Sequence, residues 1–260
     1  MRETNLDKFL AKIGRGEMPV GAVTTFTDAA VTEVVAAAGF DFVWVDGEHG
    51  IIDRKTAQDH IIAAQANGIA SFYRVPACDH TEIKRIIDLD PDAIIVPMVM
   101  DEKDAAQAVS ACRYAIHGGD RGCGYRRGIR YGTVSVQDYL DDSAHRPYVI
   151  IQLEHIEAVR HLDAILSVPG VDGILIGPYD LSMSMGKPGE WENPDVSAVF
   201  DDSCRRIKES GKSLGVYTEC LFDVWESRGV DYMAIKNDTN AMLLGLQQVL
   251  GAVRSTKGIR

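Results

Sequence analysis

The sequence lacks the features that would place the chain in a membrane or an oxidising compartment. No apolar run approaches the roughly 20 residues that a membrane-spanning helix requires. The segment MRETNLDKFL has neither the basic start nor the apolar centre of a secretory signal, so we expect a cytoplasmic protein. The five cysteines are odd in number and show no CxxC spacing, which favours free thiols over a disulfide framework or a zinc cluster.

Positive charge is also scarce. The formal net charge is −11 and no basic run occurs, which argues against nucleic acid as the main partner because phosphate binding needs clustered Lys and Arg. A few arginines do gather in one segment, where they could attract an anionic substrate or belong to a solvated loop: Arg121, Arg126, Arg127 and Arg130.

The composition is that of a globular protein, with 46% hydrophobic and 25% charged residues. Short β-branched runs alternate with helical patterns, which is typical of βα units around a parallel sheet. Eight strands are predicted, at PVGAVTT, FDFVWVD, ASFYRVP, AIIVPM, YVIIQLE, GILIGP, SLGVYT and YMAIK. Eight units favour a closed (β/α)8 TIM barrel over an open doubly wound sheet, and we expect residues 1–260 to form one domain.

Several helix ends can be recognised. Asp79 with Glu82 resembles a capping box, Gly39 follows AAVTEVVAAA as a C′ residue would, and Asp101 begins another helix. The segment 113–147 is longer than a usual βα connection, which is typical of a functional cover or a disordered segment. Its glycines lack the spacing of a phosphate-binding loop.

Polar residues follow the apolar runs at the carboxyl ends of the predicted strands, where barrel enzymes build their active sites. The second strand ends in DGEHG (residues 46–50), the third in Arg74, the fifth in Glu154 and the sixth in GPYD (residues 177–180). Alternation along the fifth strand puts Gln152 and Glu154 on one face, so Glu154 is predicted to point into the mouth.

Glu154 and Asp180, from adjacent strand ends, form the carboxylate pair that a hard divalent cation such as Mg²⁺ prefers. Solvated or capping carboxylates are the alternative. His49 could act as a general base or be a hydrogen-bonded loop histidine. Arg74 could hold a carboxylate by two-point contact or form an ion pair with Asp46 or Glu48.

Five motifs in order make the sequence recognisable: VDGEHG, IIVPMV, RGCG, QLEHIEAV and GVDGILIGPYDLSMSMG. Together they resemble the class II pyruvate aldolases of the HpcH/HpaI aldolase/citrate lyase family, which include 4-hydroxy-2-oxoheptanedioate and 2-dehydro-3-deoxyglucarate aldolases. The similarity extends from about Pro19 to Val249. It implies a barrel of the phosphoenolpyruvate/pyruvate-domain type and a homo-oligomer, with a hexamer as one form.

The resemblance also implies a reaction. A divalent metal (Mg²⁺, Mn²⁺ or Co²⁺) would make possible the reversible cleavage of a 4-hydroxy-2-oxo acid to pyruvate, or a related 2-oxo acid, and an aldehyde. The roles implied for single residues are metal ligation by Glu154 and Asp180, acid/base catalysis by His49 acting through water, pyruvate binding and enolate stabilisation by Arg74, orientation of His49 by Asp88, and pyruvate-pocket lining by Gln152, Gly177 and Pro178.

The sequence departs from the family pattern in two places, and other functions compete with the aldolase interpretation. The chain has IHGGDRG where the family commonly carries proline-rich sequence, which bears on aldehyde specificity. Asp90–Pro91 follows Asp88, which bears on the placement of Asp88. Lys236 ends the eighth strand and could form a Schiff base, or pair with a carboxylate instead. A barrel that binds an oxo acid without turning it over is a further alternative.

Overall fold

The computed structural model of the chain describes residues 3–124 and 126–256. Its strands are β1 (Val20–Thr24), β2 (Phe42–Asp46), β3 (Ala70–Arg74), β4 (Ala93–Val96), β5 (Tyr148–Leu153), β6 (Gly173–Ile176), β7 (Ser213–Thr218) and β8 (Tyr232–Asn237). They are parallel and form a closed barrel in sequence order, with β8 paired back to β1. The eight predicted strands and the (β/α)8 barrel are confirmed, and the open sheet is excluded.

Helices connect the strands and cover the barrel. They are α1 (Asn5–Gly14), α2 (Ala30–Ala37), α3 (Arg54–Ala66), α4 (His80–Ile87), α5 (Glu102–Cys112), α6 (Val136–Asp142), α7 (Ile156–Arg160), α8 (Leu162–Ser167), α9 (Pro178–Ser184), α10 (Pro194–Glu209), α11 (Phe222–Ser227) and α12 (Asp238–Ser255). Short 3-10 turns lie at Ala115–His117, Arg130–Gly132 and Ser143–His145.

The predicted helix ends are found where the sequence signals placed them. Asp79 caps α4 by accepting hydrogen bonds from the backbone N–H groups of Thr81 and Glu82, at 2.8 and 3.1 Å. Asp101 caps α5 in the same way. Gly39, with φ +93°, follows α2 in the left-handed conformation that glycine adopts without steric cost.

The amino-terminal end of the barrel is closed by aromatic side chains. Phe9 of α1 contacts the rings of Phe42, Phe72 and Tyr232, with centroid distances of 5.6, 5.0 and 5.3 Å. A Cβ at Gly21 would lie 2.2 Å from the Phe42 ring, so only glycine leaves room for this packing. Because this end is filled, access to the barrel interior is from the carboxyl ends of the strands.

Asp238 joins the last strand to the first at that open end. Its Oδ2 accepts hydrogen bonds from Thr24 Oγ1, Thr25 N–H and Phe26 N–H at 2.8, 2.7 and 2.8 Å, and its Oδ1 accepts one from Thr25 Oγ1 at 2.7 Å. These bonds attach the start of α12 to the loop after β1. The residues around the β8–β1 junction are therefore held in fixed positions.

The long connection of residues 113–147 packs on the barrel by arginine contacts. The Arg113 Nη1 group donates to the carbonyl of Pro147 at 2.9 Å, and Arg121 lies over the Tyr114 ring at 4.6 Å and donates to Tyr139 Oη at 3.0 Å. Arg121 is buried, so it is not part of a solvated loop. Among the described residues, no helix has both the length and the apolarity to cross a membrane.

Candidate active site

A cavity of about 390 Å³ opens at the carboxyl ends of the strands. Its wall draws on the ends of most strands and on the loops that follow them, as expected for a barrel enzyme. The lining residues are Val23, Thr25, Trp44, Asp46, His49, Arg74, Gln152, Gly177, Pro178, Tyr179, Asp180, Tyr217, Asn237 and Thr239. Most of the residues singled out from the sequence are among them.

Arg74 is held in the wall by its neighbours on β2. Its Nε donates to Asp46 Oδ1 at 2.9 Å and its Nη2 to Asp46 Oδ2 at 2.6 Å. Its guanidinium also lies 4.9 Å from the centre of the Trp44 ring. The ion pairs with Asp46 and Glu48 are thus present, and because Arg74 also lines the cavity, its contact with a substrate carboxylate stays a prediction.

Glu48 stands between Arg74 and His49. Its Oε2 is 2.9 Å from Arg74 Nη1 and 3.8 Å from His49 Nε2. The pKa of Glu48 is raised, mainly because the carboxyl group is buried. The charges of Asp46 and Asp180 add to this rise, and the charges of Arg74 and His49 oppose it. Glu48 is therefore the carboxylate that the fold places beside the His49 imidazole.

His49 lies at the rim of the mouth, where its side chain is 68% exposed. Its backbone N–H donates to Asp46 Oδ1 at 3.2 Å, and the same oxygen accepts from Glu48 N–H at 3.0 Å. Asp46 thereby fixes the loop after β2 as well as Arg74. An exposed imidazole on a fixed loop can exchange protons with water at the mouth.

Glu154 lies directly behind the cavity wall and is 5% exposed. Its Oε1 accepts from the Met98 N–H at 2.7 Å, and its Oε2 accepts from Gln152 Nε2. The pKa of Glu154 is raised to about 7, mainly because the carboxyl group is buried. The charges of Glu48 and Asp180 add to this rise, and the Met98 hydrogen bond opposes it. The site therefore holds a desolvated carboxyl group near other acids.

The residues after β6 complete this side of the mouth. Asp180 lines the cavity from the first turn of α9, next to Gly177 and Pro178. A Cβ at Gly177 would lie 3.2 Å from Glu154 Cβ and 3.4 Å from Gln152 Nε2, which is closer than ordinary contact. Glycine at this position thus allows the β6 end to lie against the residues of β5.

These groups fit a hard divalent cation. Each Glu154 oxygen has one hydrogen-bond donor and retains a lone pair for a metal. A cation would also offset the burial of the Glu154 carboxylate and its repulsion by Glu48 and Asp180, which together raise its pKa. No three His, Cys, Asp or Glu side chains in the described ranges gather closely enough to bind a metal alone, so substrate and water oxygens would provide the other ligands.

Asp88 is placed elsewhere. It follows α4 and lines a second cavity together with Arg126, Arg127 and Tyr131, and its Oδ1 lies 3.9 Å from Arg121 Nη2. Within one chain, the mouth cavity that contains His49 does not include Asp88. Orientation of His49 by Asp88 therefore stays a prediction.

Lys236 lies outside the lining of the mouth cavity. Its Nζ lies 3.6 Å from Glu219 Oε2, and its side chain is not part of the mouth cavity. Of the two alternatives for Lys236, this geometry matches the pairing with a carboxylate. It gives no support to a Schiff-base mechanism, which needs a desolvated amine beside the substrate carbonyl.

Several mouth residues were not identified from the sequence. The ring of Trp44 supports Arg74, the backbone of Met98 donates to Glu154, and Glu48 was considered only as an ion-pair partner. The position of Met98 after the fourth strand could have marked it as a mouth residue. Its hydrogen bond to Glu154 could not be predicted, because the donor is a backbone N–H that every residue other than proline carries. Tyr217 and Asn237, at the last two strand ends, could have been found by the same rule that located Asp180.

A closed (β/α)8 barrel with buried acids and an arginine at the carboxyl ends of its strands is the architecture of a barrel enzyme. The HpcH/HpaI aldolase/citrate lyase family matches residues 24–231, and the chain belongs to that family. The predicted family is thereby confirmed. The chain is an enzyme of the carbon–carbon lyase class.

Relatives agree over almost the whole chain. A hydroxypyruvate/pyruvate aldolase of Roseobacter denitrificans is 33% identical, with 95% of this chain and 96% of the relative covered. A 4-hydroxy-2-oxovalerate aldolase of Rhodococcus jostii is 35% identical, covering 92% and 93%. The crystal structure of an HpcH/HpaI aldolase from Desulfitobacterium hafniense has a TM-score of 0.88 at 24% identity, covering 96% and 98%, which supports the fold.

Proposed function

We propose that the chain is a class II aldolase that uses a divalent metal to cleave a 4-hydroxy-2-oxo acid reversibly into pyruvate, or a related 2-oxo acid, and an aldehyde. The observation that carries the proposal is the buried Glu154, whose pKa is raised to about 7 beside the charges of Glu48 and Asp180. The names of two relatives, a pyruvate aldolase and an oxovalerate aldolase, point to the same chemistry.

Glu154 and Asp180 would hold the metal, with Mg²⁺, Mn²⁺ and Co²⁺ as the candidates. When bound, the cation supplies Lewis-acid polarisation of the 2-oxo group of the substrate. Gln152, Gly177 and Pro178 line the same cavity as Asp180 and would enclose the pyruvate part of the substrate. The negative charge of the wall would otherwise repel a 2-oxo acid, so metal and substrate are expected to bind together.

Arg74 would hold the 2-oxo acid and stabilise negative charge on its oxygen after the carbon–carbon bond breaks. Its Nε and one N–H of Nη2 bond Asp46, and its Nη1 faces Glu48 at 2.9 Å and Gln152 at 3.5 Å, which leaves the second N–H of Nη2 for the substrate. Asp46 and Trp44 keep the guanidinium in place. A positive charge that is already oriented needs little rearrangement as negative charge develops.

His49 would remove the proton of the 4-hydroxyl group through a water molecule. Its exposed ring at the rim suits a relay, and Glu48 at 3.8 Å would stabilise the protonated imidazole. In the direction of synthesis the same imidazole would return the proton to the new alkoxide. Asp88 remains a candidate for orienting His49, to be compared with Glu48.

We also propose that residues 1–260 act as one barrel domain in a homo-oligomer, with a hexamer as one form. Throughout α12 no residue is buried, and seven large apolar side chains are 43–64% exposed: Met242, Leu243, Leu244, Leu246, Val249, Leu250 and Val253. One helix with this many exposed apolar side chains is typical of a protein–protein contact. A second copy is the partner that the resemblance favours.

The proposed function is tested by pyruvate release from a set of 4-hydroxy-2-oxo acids, with Mg²⁺, Mn²⁺ or Co²⁺ added to chelator-treated protein. We expect activity to vanish in chelator and to return with metal. Full activity in metal-free protein would contradict the metal mechanism. Tight binding of 2-oxo acids with no turnover of any substrate would favour the non-catalytic barrel instead.

A further inference from the structure

The mouth cavity has two chemically different sides. The charged residues Asp46, Arg74 and Asp180 come from β2, β3 and the first turn of α9. On the arc formed by β7, β8 and β1, the lining residues are neutral: Tyr217, Asn237, Thr239, Thr25 and Val23. Because the barrel is closed in sequence order, the last two strands and the first are contiguous. If the 2-oxo acid is held on the charged side, the other reactant faces the neutral arc.

The neutral arc carries both kinds of hydrogen-bonding group. Thr25 Oγ1 donates to Asp238 Oδ1 at 2.7 Å, and Thr239 Oγ1 donates to Asn237 Oδ1 at 2.7 Å. With their protons engaged, both hydroxyl oxygens still have lone pairs that can accept. Asn237 Oδ1 also accepts from the Asn240 N–H at 2.8 Å, so its carbonyl faces the start of α12 and its amide NH₂ serves as a donor.

These groups are rigid. Asn237 is the N-cap of α12, and Asp238 is fixed by four hydrogen bonds to the loop after β1. The Tyr217 ring packs edge-on against Trp44 at 6.0 Å, and its hydroxyl donates to Glu219 at 2.8 Å. A ligand at this arc therefore meets hydrogen-bonding groups whose positions are set before it binds.

Among the residues that the structure describes, the arc carries no cation for a second carboxylate. Among the described residues that line the cavity, Arg74 is the one Lys or Arg, and it is paired with Asp46. Lys236, the basic residue that ends β8, is paired with Glu219. An aldehyde bearing a carboxylate would be brought close to Asp238 and Glu219 without a compensating positive charge.

We propose that the aldehyde half of the substrate is a short, neutral hydroxyaldehyde whose hydroxyl group is bound by Thr25, Asn237 and Thr239. A hydroxyl group both donates and accepts, which matches the threonine oxygens and the asparagine amide. An apolar aldehyde would leave these groups unpaired, and an acidic aldehyde would lack a counter-charge. The proposal rests on the proposed aldolase function and names the substrate class of that site.

The test uses the full chain with Mn²⁺ and pyruvate, and compares three aldehydes in the addition direction. Glycolaldehyde and propanal have nearly the same shape and differ by a hydroxyl in place of a methyl group, and succinic semialdehyde carries a carboxylate. We expect the highest kcat/KM for glycolaldehyde. Thr25→Val and Thr239→Val should each lower the ratio of glycolaldehyde to propanal kcat/KM by roughly 2- to 10-fold, mainly through the KM for glycolaldehyde.

Two further variants exclude a general loss of structure. Thr239→Ser keeps the hydroxyl and should restore the ratio, and Thr81→Val changes an exposed threonine of α4 and should leave it unchanged. Asn237→Asp keeps an oxygen for the cap of α12 but removes the amide donor, so it should also lower the ratio. A ratio that is unaffected by all three mouth substitutions would overturn the proposal.

The outcome is separable from failure of the aldolase function. Preference for succinic semialdehyde, or equal use of glycolaldehyde and propanal, would overturn the hydroxyaldehyde proposal while the aldolase function stands. Absence of both addition and metal-dependent exchange of pyruvate methyl protons would overturn the aldolase function itself.

Discussion

Arg74 and Asp46 form a two-point ion pair in the wall of the barrel mouth, with Nε–Oδ1 and Nη2–Oδ2 distances of 2.9 and 2.6 Å. Both side chains are buried. The carboxylate that takes the Arg74 fork is thus one of the protein's own. Nη1 also lies 2.9 Å from Glu48 Oε2, so what remains for a substrate is one N–H of Nη2, which can stabilise developing charge without a two-point contact to the pyruvate carboxylate.

Arg74→Lys should therefore slow enolate formation more than it weakens pyruvate binding. An ammonium cannot keep the geometry with Asp46 and point at the substrate oxygen together. We expect exchange of pyruvate methyl protons in deuterated water to fall by about 10²-fold, the scale for one lost oxyanion donor. Arg113→Lys, a buried arginine outside the mouth, is the matched control. Wild-type exchange in Arg74→Lys would leave Arg74 with a purely structural ion pair.

Glu154 should make the metal-free protein less stable as the pH rises. Its pKa is raised from 4.5 to about 7, so the folded state binds a proton that the unfolded state releases. The protonated carboxyl group therefore adds to the free energy of unfolding below about pH 4.5, and this contribution is lost as the pH rises from about 4.5 to 7. Glu154→Gln should remove this loss, which is on the order of 1–3 kcal/mol. Chemical denaturation of chelator-treated wild type and variant at pH 5 and pH 8 measures it.

The same titration governs metal binding. A proton and a cation compete for Glu154, so metal affinity should rise with pH up to about 7 and then level off. Glu154→Ala and Asp180→Ala should both abolish metal binding in calorimetry and metal-dependent turnover, while Asp53→Ala removes an exposed helix-capping carboxylate and should not affect binding. Retained metal affinity in either mouth variant would remove that residue from the ligand set.

The strands and the acidic mouth could be predicted because both are encoded locally. A parallel strand buried on both faces is a continuous apolar run, and barrel chemistry follows directly after such runs. The same rule alone locates Glu154 and Asp180, because each follows an apolar run. Their partners were harder to find, since the Met98 backbone N–H that bonds Glu154 belongs to a different strand end.

Long-range packing accounts for what could not be predicted. Gly21 gives no sign in the sequence that it makes room for Phe42, because the contact depends on the closed barrel and on α1 filling its end. Asp88 is the C-cap of α4, and its partners depend on the path of the long connection, which brings Arg121, Arg126 and Arg127 to it. A motif can name Asp88 as functional without fixing the distance to His49.

His49→Ala should reduce aldol cleavage by about 10²–10⁴-fold, the usual scale for loss of a general base. The carboxylate that supports His49 can be identified by comparing kcat for cleavage in two variants. A nearby carboxylate stabilises the protonated imidazole that forms when His49 takes the proton, so removing that carboxylate should lower kcat. Glu48, at 3.8 Å from the ring, predicts a lower kcat for Glu48→Gln and an unchanged kcat for Asp88→Asn. The reverse pattern would assign the role to Asp88.

The last prediction concerns α12, whose apolar side chains are exposed in the single chain. Leu246 and Val249, at 59% and 64% exposed, lie one turn apart near the middle of the helix. If α12 packs on a second copy, Leu246→Glu and Val249→Glu would each place an unpaired charge in an apolar contact and should shift the protein to smaller species. Light scattering coupled to size-exclusion chromatography measures the mass directly. Gln248→Glu introduces the same charge in the same turn without removing an apolar group, and it should leave the mass unchanged. A wild-type protein that is already monomeric would contradict the homo-oligomer, and full-size assemblies of both apolar variants would show that the contact lies elsewhere. Because Asn237 and Thr239 stand at the start of the same helix, loss of assembly should also weaken aldehyde binding.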